Sequence, residues 1–218
     1  TVMVPRMAST FASGDTEKLK QYMKKSFSFV LLLAFPLMFG IISVANKFVP
    51  IFYGAGYNKV IYLISIISPI ILAIGLSNVI GTQYLLPTKQ QKKYTISVTI
   101  GAIVNFVLNI ICIQVWQSIG ASIATVIAEC TVTGIQFYLV RKEIKFSDVL
   151  KIAKKYFIAS IVMFGASILV GLIIKNNLIS ILVQMVISFI VYFGLLLIMK
   201  DKLIFEGIEL IRNKLVKN

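Results

Sequence analysis

The sequence predicts an all-α integral membrane protein with six transmembrane helices, and three observations carry that prediction. The first is composition: 58% of the 218 residues are hydrophobic and the mean hydropathy is +0.92, too apolar for a soluble domain whose surface must be largely polar. The second is the placement of charge, which is confined to short clusters between five long runs, 26–46, 60–88, 94–140, 156–174 and 176–199. Only the third run contains a charged residue, Glu129. The third is that Lys and Arg concentrate in every second connecting segment, the pattern of a chain that crosses a membrane repeatedly.

Taken in order, residues 1–25 read as the cytoplasmic end of a preceding span and a connecting helix. The chain opens on TVMVPRM, with no initiator Met and no signal-peptide layout, and is expected to be the C-terminal part of something longer. Four spans then fill 26–139. A crossing takes about 20 apolar residues against a hydrocarbon core of about 30 Å. The 47-residue third run would reach about 70 Å as one helix, so it must fold back on itself, and the break is placed at Trp116-Gln117-Ser118-Ile119-Gly120. The six spans are therefore expected near 26–45, 62–86, 94–115, 119–139, 157–174 and 179–199. A cytoplasmic connector, 140–156, separates the fourth from the fifth, and 200–218 forms a cytoplasmic amphipathic tail.

The basic residues orient these spans. In order, the seven polar segments carry 5, 2, 3, 0, 6, 1 and 5 Lys or Arg, so both ends are expected on the cytoplasmic side. The formal net charge of +14 is then read as topology, helped by anionic lipid, and not as a nucleic-acid signal. Two connecting segments look like interfacial helices. Ser147 is a candidate cap for a short helix through 148–155, and in the tail Ile204, Ile208, Ile211 and Leu215 recur at helical spacing beside Lys202, Arg212, Lys214 and Lys217. On the outer side FVPIFYGAGY (48–57) suits an aromatic-rich turn at the membrane surface.

Composition also removes function classes. With no histidine in the chain, the commonest general base and metal ligand are absent, and no phosphate-binding glycine loop of the Walker type is present. No cofactor is implied. Cys112 and Cys130 lie inside apolar runs and are read as packing residues, not a disulfide or metal pair. A membrane-embedded glycosyl- or acyltransferase needs a positioned acid, base or metal pair. Glu129 is the one acid in a span, which makes that reading the weaker one.

Polar residues inside the spans are the candidate functional positions, because in hydrocarbon they must pair with a neighbouring helix or border water. Ser122, Thr125, Glu129, Thr133 and Gln136 recur at steps of three and four and share one face of the fourth span. In the third span Ser97, Gly101, Asn105 and Asn109 recur every four residues, and Ser65, Ser68, Gly75, Asn78 and Gln83 mark the second. Counting from the break at Gln117, Asn105 and Glu129 lie equally deep, about 18 Å in, so they are candidate hydrogen-bond partners. Asn109 and Thr125 match one turn higher. Two readings of Glu129 stand: it borders an aqueous translocation path as an ion site or sugar contact, or it is protonated and ties two helices together. Pro36 and Pro69 each remove a backbone hydrogen bond within a span and are expected to kink it.

Three stretches, taken in order, resemble one family. VPRMASTFASGDTEKLK (4–20) is similar to a Pro-Arg-x-Ser then Gly-Asp stretch leaving a span at the cytoplasmic face, VNFVLNIICI (104–113) to a paired-asparagine helix, and IGASIATVIAE (119–129) to a Gly-Ala-rich helix ending in Glu. The family is the Wzx-type oligosaccharide and polysaccharide flippases, in the superfamily that also holds multidrug and toxin extrusion transporters and the peptidoglycan lipid flippases. The turn at Val115-Trp116-Gln117-Ser118 departs from it, because a Pro or Gly is expected there. The resemblance implies a MATE-like two-lobed transporter, of which this chain supplies most of the second lobe and two extra terminal helices. It further implies translocation of undecaprenyl-diphosphate-linked oligosaccharide repeat units by alternating access, for capsule, exopolysaccharide or O-antigen-like polymers. The partners implied are that lipid-linked oligosaccharide, membrane lipids, the N-terminal lobe and the polysaccharide polymerase machinery, with no nucleic acid. Ser122, Thr125, Glu129, Asn105, Asn109 and Asn78 are the candidate path residues, and Arg6, near the cytoplasmic mouth, is the candidate diphosphate contact. The rival transport reading is a cation-coupled multidrug exporter of the same fold.

Overall fold

The computed structural model describes residues 3–215, without the side chains of residues 210, 211 and 213–215. Every element among them is helical: α1 (Met3–Ala12), α2 (Thr16–Phe52), α3 (Asn58–Ile67), α4 (Ile70–Ile80) continued by a π-helical turn (Gly81–Leu85), α5 (Gln91–Trp116), α6 (Ser118–Leu139), α7 (Phe146–Ile173), α8 (Asn177–Ile198) and α9 (Lys202–Leu215). Six helical stretches are long and apolar enough to cross a membrane, namely α2, α3 with α4 and the π turn, α5, α6, α7 and α8. They coincide with the six expected spans.

The helices are longer than the spans. α2 begins at Thr16, where the Asp15 side chain caps the first turn by accepting from the Lys18 N–H at 3.0 Å. Its 37 residues reach about 55 Å, so its basic first turns project beyond any bilayer. α7 likewise starts at Phe146 and runs unbroken into the fifth span. Ser147 does not cap it, because it lies inside the first turn and Lys145 takes the cap position with no side-chain bond. Of the expected tail stripe, Ile204 and Ile208 sit on α9, whereas Lys217 and the side chains of Ile211, Lys214 and Leu215 lie outside the described residues.

Two prolines in spans have different consequences. Pro69 ends α3, and the chain resumes as α4 at Ile70. Pro36 stays within a continuous α2, where its missing N–H leaves the Leu32 carbonyl without its helical donor. Beyond Phe52 the aromatic turn forms as expected: Phe48 stacks on Phe52, Phe52 packs edge-on against Tyr53, and Tyr53 tilts onto Tyr57. Gly54 and Gly56 supply the positive φ angles that carry the chain around.

α2 is the hub of the bundle. Along one side it packs on α3 and α4, which lead to α6 and then to α5 at the rim, and along the other it packs on α7 and α8. The core is richest where Met23, Phe27, Leu31 and Phe35 of α2 meet Val79 and Ile80 of α4, Phe137 of α6 and Tyr156 of α7. Elsewhere the outer faces are apolar and open: Phe106, Leu172, Ile173, Phe189 and Ile198 are all more than half exposed. In water that inversion would be untenable, and in lipid it is required.

Candidate functional site

α5 and α6 form an antiparallel hairpin whose turn is a single residue. Gln117 carries φ +52°, a conformation in which a side chain is strained, at the position where the resemblance led one to expect Gly or Pro. The two helices close on small residues. A Cβ on Gly120 would strike the Cys112 carbonyl, and one on Gly101 would strike Val132. This contact fixes the register, and it brings the depths of Asn105 and Glu129 together as counting from Gln117 predicts.

Their side chains nevertheless do not pair. The Asn109 amide donates to both the side-chain and backbone oxygens of Asn105, at 3.0 and 2.8 Å, so the two asparagines are tied to one another along α5. The reason is rotational: the contact surface on α5 is made by Ser97, Gly101 and Cys112, which are buried, whereas Asn105 and Asn109 flank it and are half-buried. The hydrogen bond expected between Asn105 and Glu129 is replaced by an intrahelical one.

On α6 the five-residue stripe divides by depth. Ser122 and Thr125 return their hydroxyls to their own helix, at the carbonyls of Ser118 and Ala121. Thr133 donates within hydrogen-bonding distance of both Glu129 and Ala73 carbonyls, the latter on α4 at 2.8 Å, and Gln136 donates to the Ser97 hydroxyl on α5 at 3.3 Å. The lower half of the stripe thus joins three helices. Glu129 sits between these halves, half-buried, and no hydrogen bond or ion pair among the described residues engages its carboxylate. An acid so placed in a span costs about 2.5 to 3.5 kcal/mol when charged.

The remaining candidates are scattered. Asn78 is exposed on α4 and accepts from Thr82 at 3.4 Å. Arg6 is exposed on α1, which packs on α2 and the π-helical turn. Cys112 is buried, Cys130 is exposed, and both are free. Among the described residues no cluster of His, Cys, Asp or Glu is arranged to hold a metal.

Sequence reasoning missed two polar groupings. In one, Ser43 of α2, Ser167 of α7 and Gln184 of α8 are hydrogen-bonded in series: the Ser167 hydroxyl donates to Ser43 at 2.8 Å and the Gln184 amide donates to the Ser167 carbonyl at 2.9 Å. Its signal was present, since Ser180, Gln184 and Ser188 recur every four residues in an otherwise apolar span. In the other, Asp201 is buried between α8 and α9, accepts from the Tyr156 hydroxyl, pairs with Lys155 and caps α9 through the Leu203 and Ile204 amides. A lone acid after a basic residue gives no such signal. Cavities of about 300 and 280 Å³ open beside Gln184 and beside Tyr84 with Glu143, respectively, and Glu129 lines neither.

The family model described as lipid II flippase MurJ matches residues 1–198. A putative O-antigen transporter of Escherichia coli (strain K12) is 28% identical over 137 residues, 63% of this chain and 33% of the relative. The lipid II flippase MurJ of Bacillus subtilis (strain 168) is 23% identical over 196 residues, 87% of this chain and 33% of the relative. In three dimensions the chain superposes on a lipid II flippase MurJ in an inward closed conformation with a TM-score of 0.75 and 22% identity, covering 94% of this chain and 43% of that one. The chain spans about a third of the length of the curated relatives it matches.

Proposed function

The chain belongs to the MurJ lipid II flippase family, and from that premise we propose that it contributes one lobe of a flippase that moves an undecaprenyl-diphosphate-linked saccharide across the cytoplasmic membrane by alternating access. The observation that carries this reading is the family match running through all six membrane-spanning helices. Oligosaccharide repeat units are the cargo named first, in line with the similarity to a putative O-antigen transporter. Lipid II is the second cargo, favoured by the family whose model matches.

In this reading Glu129 borders the path, with Asn105 level with it, Thr125, Asn109 and Ser122 above it and Asn78 below it on α4. What supports that role is a half-buried carboxylate in the middle of a span without a partner among the described residues, while Asn109 and Thr125 beside it donate within their own helices. Arg6, free of any described ion pair and exposed near the basic end of the bundle, is proposed as a contact for the diphosphate.

Deleting the gene and extracting lipid-linked saccharides tests the reading and separates the cargoes. Accumulation of a repeat-unit oligosaccharide on the carrier supports the first cargo, and accumulation of lipid II supports the second. If neither accumulates while resistance to cationic drugs falls, the flippase reading is wrong and a multidrug exporter takes its place. In the restored full-length protein, Glu129→Gln is expected to lower transport. Unchanged transport across a wide pH range would remove Glu129 from the path.

A further inference from the structure

At the end of the bundle opposite α9, a cavity of about 300 Å³ lies between α2, α7 and α8, lined by Ser43, Asn46, Lys47, Gly171, Asn177 and Gln184 among others. Three features set it apart from ordinary interhelical packing. Lys47 donates to the Ile174 carbonyl at the end of α7, at 3.1 Å, which uses one of its three N–H groups. No carboxylate compensates it: the acids of the chain stand at 15, 17, 129, 143, 148, 201, 206 and 209, none of them on α2, α7 or α8 near this end, and the described ion pairs all involve other lysines. Gln184 is only 1% exposed, and while its Nε2 donates once, to Ser167, its Oε1 has no partner; Ser180, one turn away and fully buried, also has an unpartnered hydroxyl.

A cation with spare donors, a buried acceptor that lacks a donor and a cavity beside both call for a ligand that is anionic and also carries a hydroxyl. A buried amide oxygen left unpaired is costly, so a molecule that meets it is favoured over an empty cavity. We propose that this cavity binds a phosphate ester bearing a free hydroxyl, with Lys47 and Asn177 donating to the phosphoryl oxygens and the ligand hydroxyl donating to Gln184. The rim indicates where such a ligand comes from. Leu172, Ile173 and Leu178 beside the opening are 75%, 78% and 60% exposed, a surface for acyl chains, so the ester fits a glycerophospholipid headgroup entering from the adjoining leaflet. This site is distinct from the Glu129 stripe on α6 and does not depend on the transport reading.

Native mass spectrometry of the full-length protein, delipidated and titrated with phosphatidylglycerol or phosphatidylcholine, tests it. Phosphatidylglycerol is expected to be retained about tenfold more tightly, because its headgroup hydroxyl meets the Gln184 oxygen where phosphatidylcholine brings a second cation beside Lys47. Lys47→Gln should reduce that preference, leaving the part that the Gln184 contact supplies, and Lys47→Arg should keep it whole. Phosphatidylmethanol, with the same charge but no headgroup hydroxyl, should bind more weakly than phosphatidylglycerol to the wild type and equally well to Gln184→Leu. Competition by millimolar inorganic phosphate, with no effect of acyl chain length, would assign the site to free phosphate esters in place of lipid. Equal retention of the two lipids by the wild type overturns the proposal, as does a preference unaltered in folded Lys47→Gln. If that variant fails to fold, the wild-type comparison and Gln184→Leu decide alone.

Discussion

Pro36 leaves the Leu32 carbonyl without a helical donor, and a tyrosine on α8, the last of the six spans, supplies one. The Tyr192 hydroxyl, 2% exposed in α8, donates to that oxygen at 2.7 Å. A helix interruption inside lipid is tolerated when a neighbour satisfies the freed group, so the pair is a single structural unit and not a hinge. Tyr192→Phe is expected to destabilise the protein by about 1 to 3 kcal/mol, the cost of orphaning a buried acceptor, as measured by denaturant titration in detergent. Pro36→Ala should restore the helical hydrogen bond, so that Tyr192→Phe costs less in that background. Additive losses would show the two residues to be independent. Residue chemistry of this kind was half legible: the proline announced the missing donor, but nothing in sequence spacing tells which of five other spans carries the hydroxyl that replaces it.

Elements were legible because lipid imposes length and hydrophobicity on them, and rotation about their axes was not. The α5–α6 hairpin illustrates both. Its break at Gln117 and the equal depth of Asn105 and Glu129 follow from counting residues, yet which residues touch depends on where the two backbones approach most closely. That approach is set at Gly120, whose Cα hydrogen faces the Cys112 carbonyl where a Cβ has no room. Gly120→Ala must therefore move a backbone and not merely a flexible side chain, and it is expected to cost about 1 to 3 kcal/mol and to loosen the hairpin, read as faster amide exchange in 105–129. Gly134→Ala, with open space around it, is the control and should leave the hairpin as tight or slightly tighter, because Ala favours a helix interior over Gly. The docking of α9 is governed by charge. Burial alone would raise the Asp201 carboxyl, but the Lys155 hydrogen bond, the Ile204 amide, the Lys155 charge and the Tyr156 hydroxyl together hold it below the usual carboxylate range. Because the folded value is the depressed one, the docked state is favoured at neutral pH and above the ordinary carboxylate range, and that advantage fades only as pH falls through the lowered value. Amide protection across 202–209, taken relative to intrinsic exchange at each pH, should stay high at pH 5 and fall in stronger acid, and Asp201→Asn should lower it already at pH 7. Fast exchange in the wild type at neutral pH would show that the Lys155–Asp201 pair does not hold the helix.

For the molecule as a whole, the arrangement of charge is the strongest constraint after hydrophobicity. α2 gathers two hairpin-like layers around itself, and the basic starts of α2 and α7 lie at the same end as α9, where Lys25 pairs with Glu206 and Lys155 with Asp201. The other end carries Lys47, Lys59 and Lys175 and no acid. Such a distribution separates the two membrane faces by Lys and Arg content alone, and the inner face should be the one rich in them. Cysteines introduced at Lys92 and Lys154, both exposed at the basic end, in full-length protein lacking Cys112 and Cys130, are therefore expected to resist a membrane-impermeant thiol reagent in intact cells and to react once the membrane is permeabilised. A cysteine at Lys59 or Lys175 should react in intact cells. The reverse pattern would invert the bundle, placing Arg6 outside the cell and the Lys47 cavity in the inner leaflet. Arg6 would then have no part in capturing a diphosphate from the cytoplasm, while the hydrogen bonds within the bundle would be untouched.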